Sequence, residues 1–166
     1  MIPLIGIGVI IQKHFETLQE DAKWFWQFGL FFFIPFVVTV FFLLFLNKGL
    51  TSDSTNALIT AFSIFTGLLL NVILIIFAIV DRSVRPESQG SKKSKLLHHL
   101  YANSIYALLI SVLILIVLLI TVILNDWKNS ALILISSAIV YFGVSHFIMT
   151  LLMIFRRLYV LLFDCN

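Results

Sequence analysis

Charged residues are scarce in this chain: Asp, Glu, Lys and Arg make up 11% of its 166 residues, whereas 61% are hydrophobic. An ordinary soluble domain is about 25% charged and about 45–50% apolar. A soluble helical bundle would also need polar outer faces at helical spacing, and runs such as "VLILIVLLITVIL" have none. The composition therefore excludes an ordinary soluble domain and predicts an integral membrane protein in contact with the lipid bilayer.

The chemistry of common active sites is missing as well. The single cysteine, Cys165, excludes an internal disulfide. The long apolar windows contain no Asp or Glu, although proton-coupled exporters and ion exchangers normally need a buried carboxylate. Neither paired acids, nor a serine beside a base, nor a His-rich metal motif occurs at usable spacing. We therefore expect no enzymatic activity, no metal and no cofactor.

Four windows of the sequence lack Asp, Glu, Lys and Arg entirely. Each exceeds the roughly 20 residues that a helix needs to cross a hydrocarbon core of about 30 Å. In chain order they are residues 25–46, 57–80, 101–124 and 130–155. Short connections after the first and third windows make consecutive spans antiparallel neighbours. The predicted fold, over residues 25–166, is an all-α membrane protein with four transmembrane helices in an up-down-up-down bundle.

The segment before the first window has a different character. Its first eleven residues are apolar but too short to span, and the charges follow them, whereas a secretory signal carries its positive charge first. Between Ile11 and Phe25, apolar residues recur at helical spacing, with charged residues on another face. Residues 1–24 are therefore predicted to form an amphipathic helix at the membrane interface, and no cleavage is expected.

Basic residues are distributed unevenly between the two sides of the predicted bundle. With the N-terminus inside, nine of the eleven Lys and Arg residues lie on the inner side, and Lys48 and Lys128 lie outside. Because loops rich in Lys and Arg stay cytoplasmic, both termini and the basic loop 81–100 are predicted to face the cytoplasm. The basic residues expected to contact lipid headgroups or a cytoplasmic protein are Arg82, Arg85, Lys92, Lys93, Lys95, Arg156 and Arg157. Nucleic-acid binding is not expected, because no aromatic residues are interleaved with these charges and no reader fold is recognisable.

Small and polar residues recur at helical spacing inside the last three windows, which is typical of faces where transmembrane helices pack closely. Counting about 1.5 Å per residue places three polar residues roughly 20 Å below the outer boundary. These three, Asn71, Ser111 and His146, form a predicted polar layer, shared by three helices or repeated around an oligomer. The predicted packing seam is Ser63, Gly67, Ser136 and Gly143. We favour a hydrogen-bonding role for His146, and a titrating or pore-lining role is the alternative.

Residues 56–124 contain the segments "AFSIFTGLLLN" and "LYANSIYALLIS". This region resembles small bacterial four-span proteins, some of which belong to antiphage defence systems, and is similar to the membrane subunit of the Kiwa system. The resemblance implies an oligomeric sensor or anchor that detects disturbance of the inner membrane and holds a cytoplasmic partner. Two alternatives stay open: a phage holin, and a pore-forming effector that depolarises the membrane with Ser63, Gly67, Asn71 and His146 lining its lumen.

Overall fold

Four α-helices make up nearly all of the computed structural model, which describes Gly8 and residues 24–46, 49–83, 92–126 and 130–163. The helices are α1 (Trp24–Leu46), α2 (Ser52–Ser83), α3 (Lys92–Asp126) and α4 (Ser130–Phe163). Most of the predicted interfacial helix, residues 1–24, lies outside the described residues.

Three of the helices are long and apolar enough to cross a membrane, by length and composition. Their qualifying segments are Ser52–Ala78, Leu96–Leu124 and Ala131–Leu161, with mean hydropathies of 2.4, 3.4 and 2.1. The corresponding apolar stretch of α1, Phe31–Phe45, is shorter. An all-helical membrane protein is thus the architecture that both the sequence and the structure give.

The helices around the basic loop extend beyond the predicted windows. Helix α2 continues to Ser83 and α3 begins at Lys92, so the loop predicted over residues 81–100 is shorter in the structure. The windows were bounded by the first charges, but Lys and Arg are good helix formers and do not end a hydrogen-bonded helix. The residues that do favour a break, Pro86 and Gly90, both fall between the two helices in the sequence.

Helix α4 lies between α1 and α3. Among the described residues, the helix pairs whose backbones approach closely are α2 with α3, α3 with α4, and α4 with α1. The prediction that consecutive spans are neighbours is therefore wrong for α1 and α2. Along α1, Phe31 contacts His146 and Phe42 contacts the earlier residue Tyr141, so α1 and α4 run antiparallel.

The described part of the α1–α2 connection, residues 49–51, passes over α4. The backbone N–H of Leu50 donates a hydrogen bond of 2.8 Å to Ser137 Oγ, and the Leu50 side chain is buried. Thr51 then caps the N-terminus of α2: its Oγ1 accepts a hydrogen bond from the Ser54 N–H at 3.3 Å. A threonine in this position satisfies one of the amide groups that a helix start leaves without a partner.

Gly49 lies where the α1–α2 connection comes very close to α4. A Cβ at this position would lie 2.5 Å from Ile133 Cγ2 and 3.1 Å from Ser137 Oγ. Ile133 is β-branched and has one strongly preferred rotamer in a helix, so it cannot move aside easily. We expect Gly49→Ala to lower the free energy of unfolding by about 1 kcal/mol. Denaturation in detergent micelles would measure the change, with Gly29→Ala on α1 as the control, since a Cβ at Gly29 meets nothing within 4 Å.

The interior of the helix bundle is apolar, and so is its exterior. Leu100, Ala107, Leu118, Val140 and Phe147 are buried. Many large apolar side chains nevertheless point outward along all four helices, including Phe33, Phe36 and Phe45 of α1. Of the three spanning segments, that of α2 is the least buried. In its apolar stretch 17% is buried, against 28% for α3 and for α4. A surface of this kind is suited to lipid, because exposed apolar area on this scale is rare in soluble proteins.

Candidate functional site

His146 of α4 lies at a junction between three helices. Its side chain is only 4% exposed, and its Nε2 atom is 2.9 Å from the hydroxyl oxygen of Tyr106 on α3. Buried tyrosine hydroxyls usually need a hydrogen-bond partner, and here the imidazole supplies it. This contact joins α3 and α4 inside the apolar region.

Helix α1 reaches the same imidazole through its backbone. In a regular helix the N–H of residue 35 would bond to the carbonyl of Phe31, but residue 35 is a proline and has no N–H. His146 interacts with this Phe31 backbone, although its Nδ1 has no partner that meets strict hydrogen-bond geometry. With its hydrogen on Nδ1, the imidazole would accept a hydrogen bond from the Tyr106 O–H at Nε2; with its hydrogen on Nε2, it would donate to the Tyr106 oxygen.

Aromatic rings enclose the imidazole on several sides. Phe31 and Phe32 of α1 lie with ring centroids 4.6 and 5.4 Å from it, and Phe142 stacks on it at 6.0 Å and an interplanar angle of 8°. The sequence assigned the first span no part in the polar layer, whereas α1 supplies two of these rings and the Phe31 backbone. Pro35 was the available signal, because a proline inside a span alters the hydrogen bonding of the carbonyl four residues earlier.

The second polar contact joins α2 and α3. The hydroxyl oxygens of Thr66 and Ser111 are 3.1 Å apart, and the Ser111 O–H donates to the Leu108 carbonyl at 2.8 Å. Ser111 is therefore buried against Thr66, a residue that the sequence did not single out. Thr66 follows buried Phe62 by four residues and so lies on nearly the same face of α2.

The predicted polar layer is divided between the interior and the surface. Ser111 and His146 are buried between helices, but Asn71 is exposed on α2. Leu69 and Ile76 face the core on that helix, and a residue two positions after Leu69 points to nearly the opposite side. A single copy of the chain therefore does not bring Asn71 together with Ser111 and His146.

The predicted packing seam is divided in the same way. Ser136 is buried and Gly143 is half-buried on α4, where a Cβ at Gly143 would lie 2.9 Å from Ile114 Cγ1 of α3. Ser63 and Gly67 are exposed on α2. The α4 half of the seam thus contributes to packing within one copy, and the α2 half faces outward.

The basic residues map to one end of the helices, here called the basic end, where α2 ends and α3 begins. Arg82 belongs to the last turn of α2, and Lys92, Lys93 and Lys95 belong to the first turn of α3. Tyr106 contacts His146 and Ile114 approaches Gly143, so α3 and α4 are antiparallel and α4 also ends there. Near that end of α4, Arg156 is exposed and Arg157 half-buried. Arg85 lies outside the described residues.

The polar contacts described above are hydrogen bonds that join neighbouring helices. Within the described ranges, no three His, Cys, Asp or Glu side chains come together as a metal site. No protein family, curated protein or solved structure matches the chain. Its function must therefore be argued from the distribution of polar and charged groups on the helices.

Proposed function

We propose that the protein is a membrane-embedded sensor or anchor subunit of a bacterial antiphage defence system, which forms a homo-oligomer and recruits a cytoplasmic protein. The observation that carries the proposal is the difference between the two ends of the helices. The basic end combines the longest connection, residues 84–91, with the basic residues of three helices. At the opposite end, connections of only five and three residues, 47–51 and 127–129, leave no room for an intervening domain. The antiphage context comes from the resemblance of residues 56–124.

The orientation and the partner follow from the same asymmetry. All four helices cross the inner membrane, α1 included, because its 23 residues correspond to about 35 Å of helix. The basic end faces the cytoplasm, where Lys and Arg are retained. A partner with an acidic surface would be attracted there, and anionic lipid headgroups would add about 1 kcal/mol per nearby basic residue.

The exposed face of α2 supports the homo-oligomer. Ser63, Gly67 and Asn71, each four residues after the last, are all exposed, and the small Gly67 leaves space that nothing in the same copy uses. A carboxamide facing lipid is costly without hydrogen-bond partners. Pairing α2 with the α2 of a second copy would allow the helices to approach closely and the Asn71 side chains to bond with each other.

The proposed function is tested by expressing the protein alone at a high level and measuring membrane potential and dye entry. We expect the potential to stay intact and the dye to stay outside, because an anchor without its partner opens no path across the membrane. An unrelated four-span protein expressed to the same level controls for crowding of the membrane. Rapid depolarisation specific to this protein would contradict the proposal.

A pore-forming effector or holin is the second candidate, and the exposed Ser63, Gly67 and Asn71 favour it. In an assembly with α2 at its centre, these residues would line a lumen. His146 would not reach that lumen without rearrangement, because the rings of α1 and α4 enclose it. In this case Asn71→Leu should abolish depolarisation, whereas for an anchor it should weaken self-association and leave the potential unchanged.

Neutralising the basic loop should disrupt orientation, partner binding or both. We expect replacement of Arg82, Arg85, Lys92, Lys93 and Lys95 by Gln to give mixed topology, since these five residues supply most of the positive charge on the inner side. With Cys165→Ser in both backgrounds, the accessibility of the cysteine in Ser91→Cys reports the side of the membrane. The matched control preserves the charge: each of the same arginines is replaced by lysine, and each of the same lysines by arginine. Unchanged topology together with unchanged partner binding would refute the assignment.

A further inference from the structure

A groove of about 140 Å³ lies between α3 and α4, beside the polar junction. Leu113 and Ile114 line it from α3, and Ile139, Gly143, Phe142 and His146 line it from α4. Every side chain in its lining except His146 is a hydrocarbon. Leu113 and Ile139 are exposed, so the groove opens between them onto the outer surface of the helices.

The position of the groove determines which molecules can enter it. Leu113 lies 11 residues before Leu124, and Ile139 lies 8 residues after Ala131. At about 1.5 Å per residue, both lie roughly 12–17 Å along spans that cross a core of about 30 Å, close to its middle. The surrounding medium at that depth is acyl chain. Water is a poor occupant, because a buried water needs two to four polar partners and this lining offers only His146.

We propose that this groove binds the acyl chain of a membrane phospholipid. Its volume is close to that of apolar cavities of about 150 Å³, which accommodate a benzene-sized molecule. The groove therefore takes a short segment of one chain, inserted from the bilayer between the two helices. His146, 96% covered within the protein, forms part of the wall against which this segment rests.

The same wall contacts α1. Phe142 lines the groove and stacks on His146, and the imidazole also meets Phe31 of α1 at 4.6 Å. A chain that enters the groove thus presses on the side chains that hold α1 against α4. If the protein is a membrane sensor, which is the proposed function, occupancy of this groove is its input; the binding itself does not depend on that role.

The binding is tested with the full chain in vesicles of phosphatidylethanolamine and phosphatidylglycerol that contain a phospholipid with a diazirine in one acyl chain. After irradiation, mass spectrometry locates the labelled residues. We expect labelling to be enriched at residues that line the groove, relative to equally exposed positions elsewhere on the same helices. Uniform labelling of all exposed positions on α3 and α4 would overturn the proposal.

Two substitutions distinguish filling of the groove from a change of surface. Ile139→Trp places an indole at the opening, whereas Ile135→Trp makes the same change four residues earlier, outside the lining, at 58% exposure against 52%. We expect groove labelling to fall to the level of other exposed positions with Ile139→Trp and to persist with Ile135→Trp. Equal labelling in the two variants would contradict the proposal. Should Ile139→Trp not insert, Leu113→Trp and its control Ile116→Trp make the same comparison from α3.

Discussion

Phe147→Ala is expected to lower the free energy of unfolding by about 3 kcal/mol, the low end of the usual cost for such a truncation. Phe147 is 1% exposed, and its ring lies 5.1 Å from Phe62 and 5.8 Å from Phe65 of α2. The backbones of α2 and α4 do not pack on each other within the described residues, so these rings supply the contact between the two helices. Burial from lipid brings no hydrophobic gain, and the cost therefore comes from the cavity and the lost ring contacts.

The measurement is unfolding in detergent micelles, with Phe155→Ala as the matched control. Phe155 lies on the same helix and is exposed, so its truncation should change the free energy of unfolding by less than about 0.5 kcal/mol. Equal losses in the two variants would mean that α2 and α4 are not joined through Phe147.

His146→Leu is expected to cost about 2 kcal/mol, and most of this loss should be recovered when Tyr106→Phe is added. The single change leaves the buried Tyr106 hydroxyl without the hydrogen-bond partner that lies 2.9 Å away. Replacing both partners removes the unpaired group, and such double replacements are often nearly neutral. The four proteins of this cycle, compared by unfolding in the same detergent, give the coupling energy between the two side chains.

The cycle also separates a structural role of His146 from a titrating one. Additive losses would show that the two side chains do not interact. If the protein acts in antiphage defence, as proposed, a double variant that inserts and unfolds like the original protein, yet has lost protection against phage, would favour a titrating histidine. If the hydrogen bond only joins the helices, protection should be retained in the double variant and should follow stability in the two single variants.

The four long helices, and the spanning length of three of them, could be predicted from the sequence, but not the order in which they pack. Length and absence of charge predict a span because the bilayer imposes both. Which helices become neighbours depends on how well their surfaces fit together, and in lipid the surfaces of different helices differ little in hydrophobicity. The short α1–α2 connection indicated adjacent helices, whereas Gly49 and Leu50 carry the chain over α4.

The candidate site was predictable only in part, for a related reason. His146 is conspicuous because an ionisable side chain is rare at membrane depth. Its partner Tyr106 is not conspicuous in the sequence, since tyrosine is common at membrane interfaces as well as in cores. Asn71 has the same apparent depth as Ser111, but depth along a helix does not fix the direction in which a side chain points. That direction followed from the buried residues Phe62, Leu69 and Ile76, which determine the packed face of α2.

The packing of α1 against the last helix, α4, has a consequence for biosynthesis. The ribosome completes α1 and α2 well before α4, yet these two helices do not pack on each other in the described structure. Among the described helices, α1 therefore has none to pack against until α4 has been synthesised. Assembly is completed from the C-terminal end of the chain, and a chain that stops after α3 leaves α1 without the helix that holds it in place.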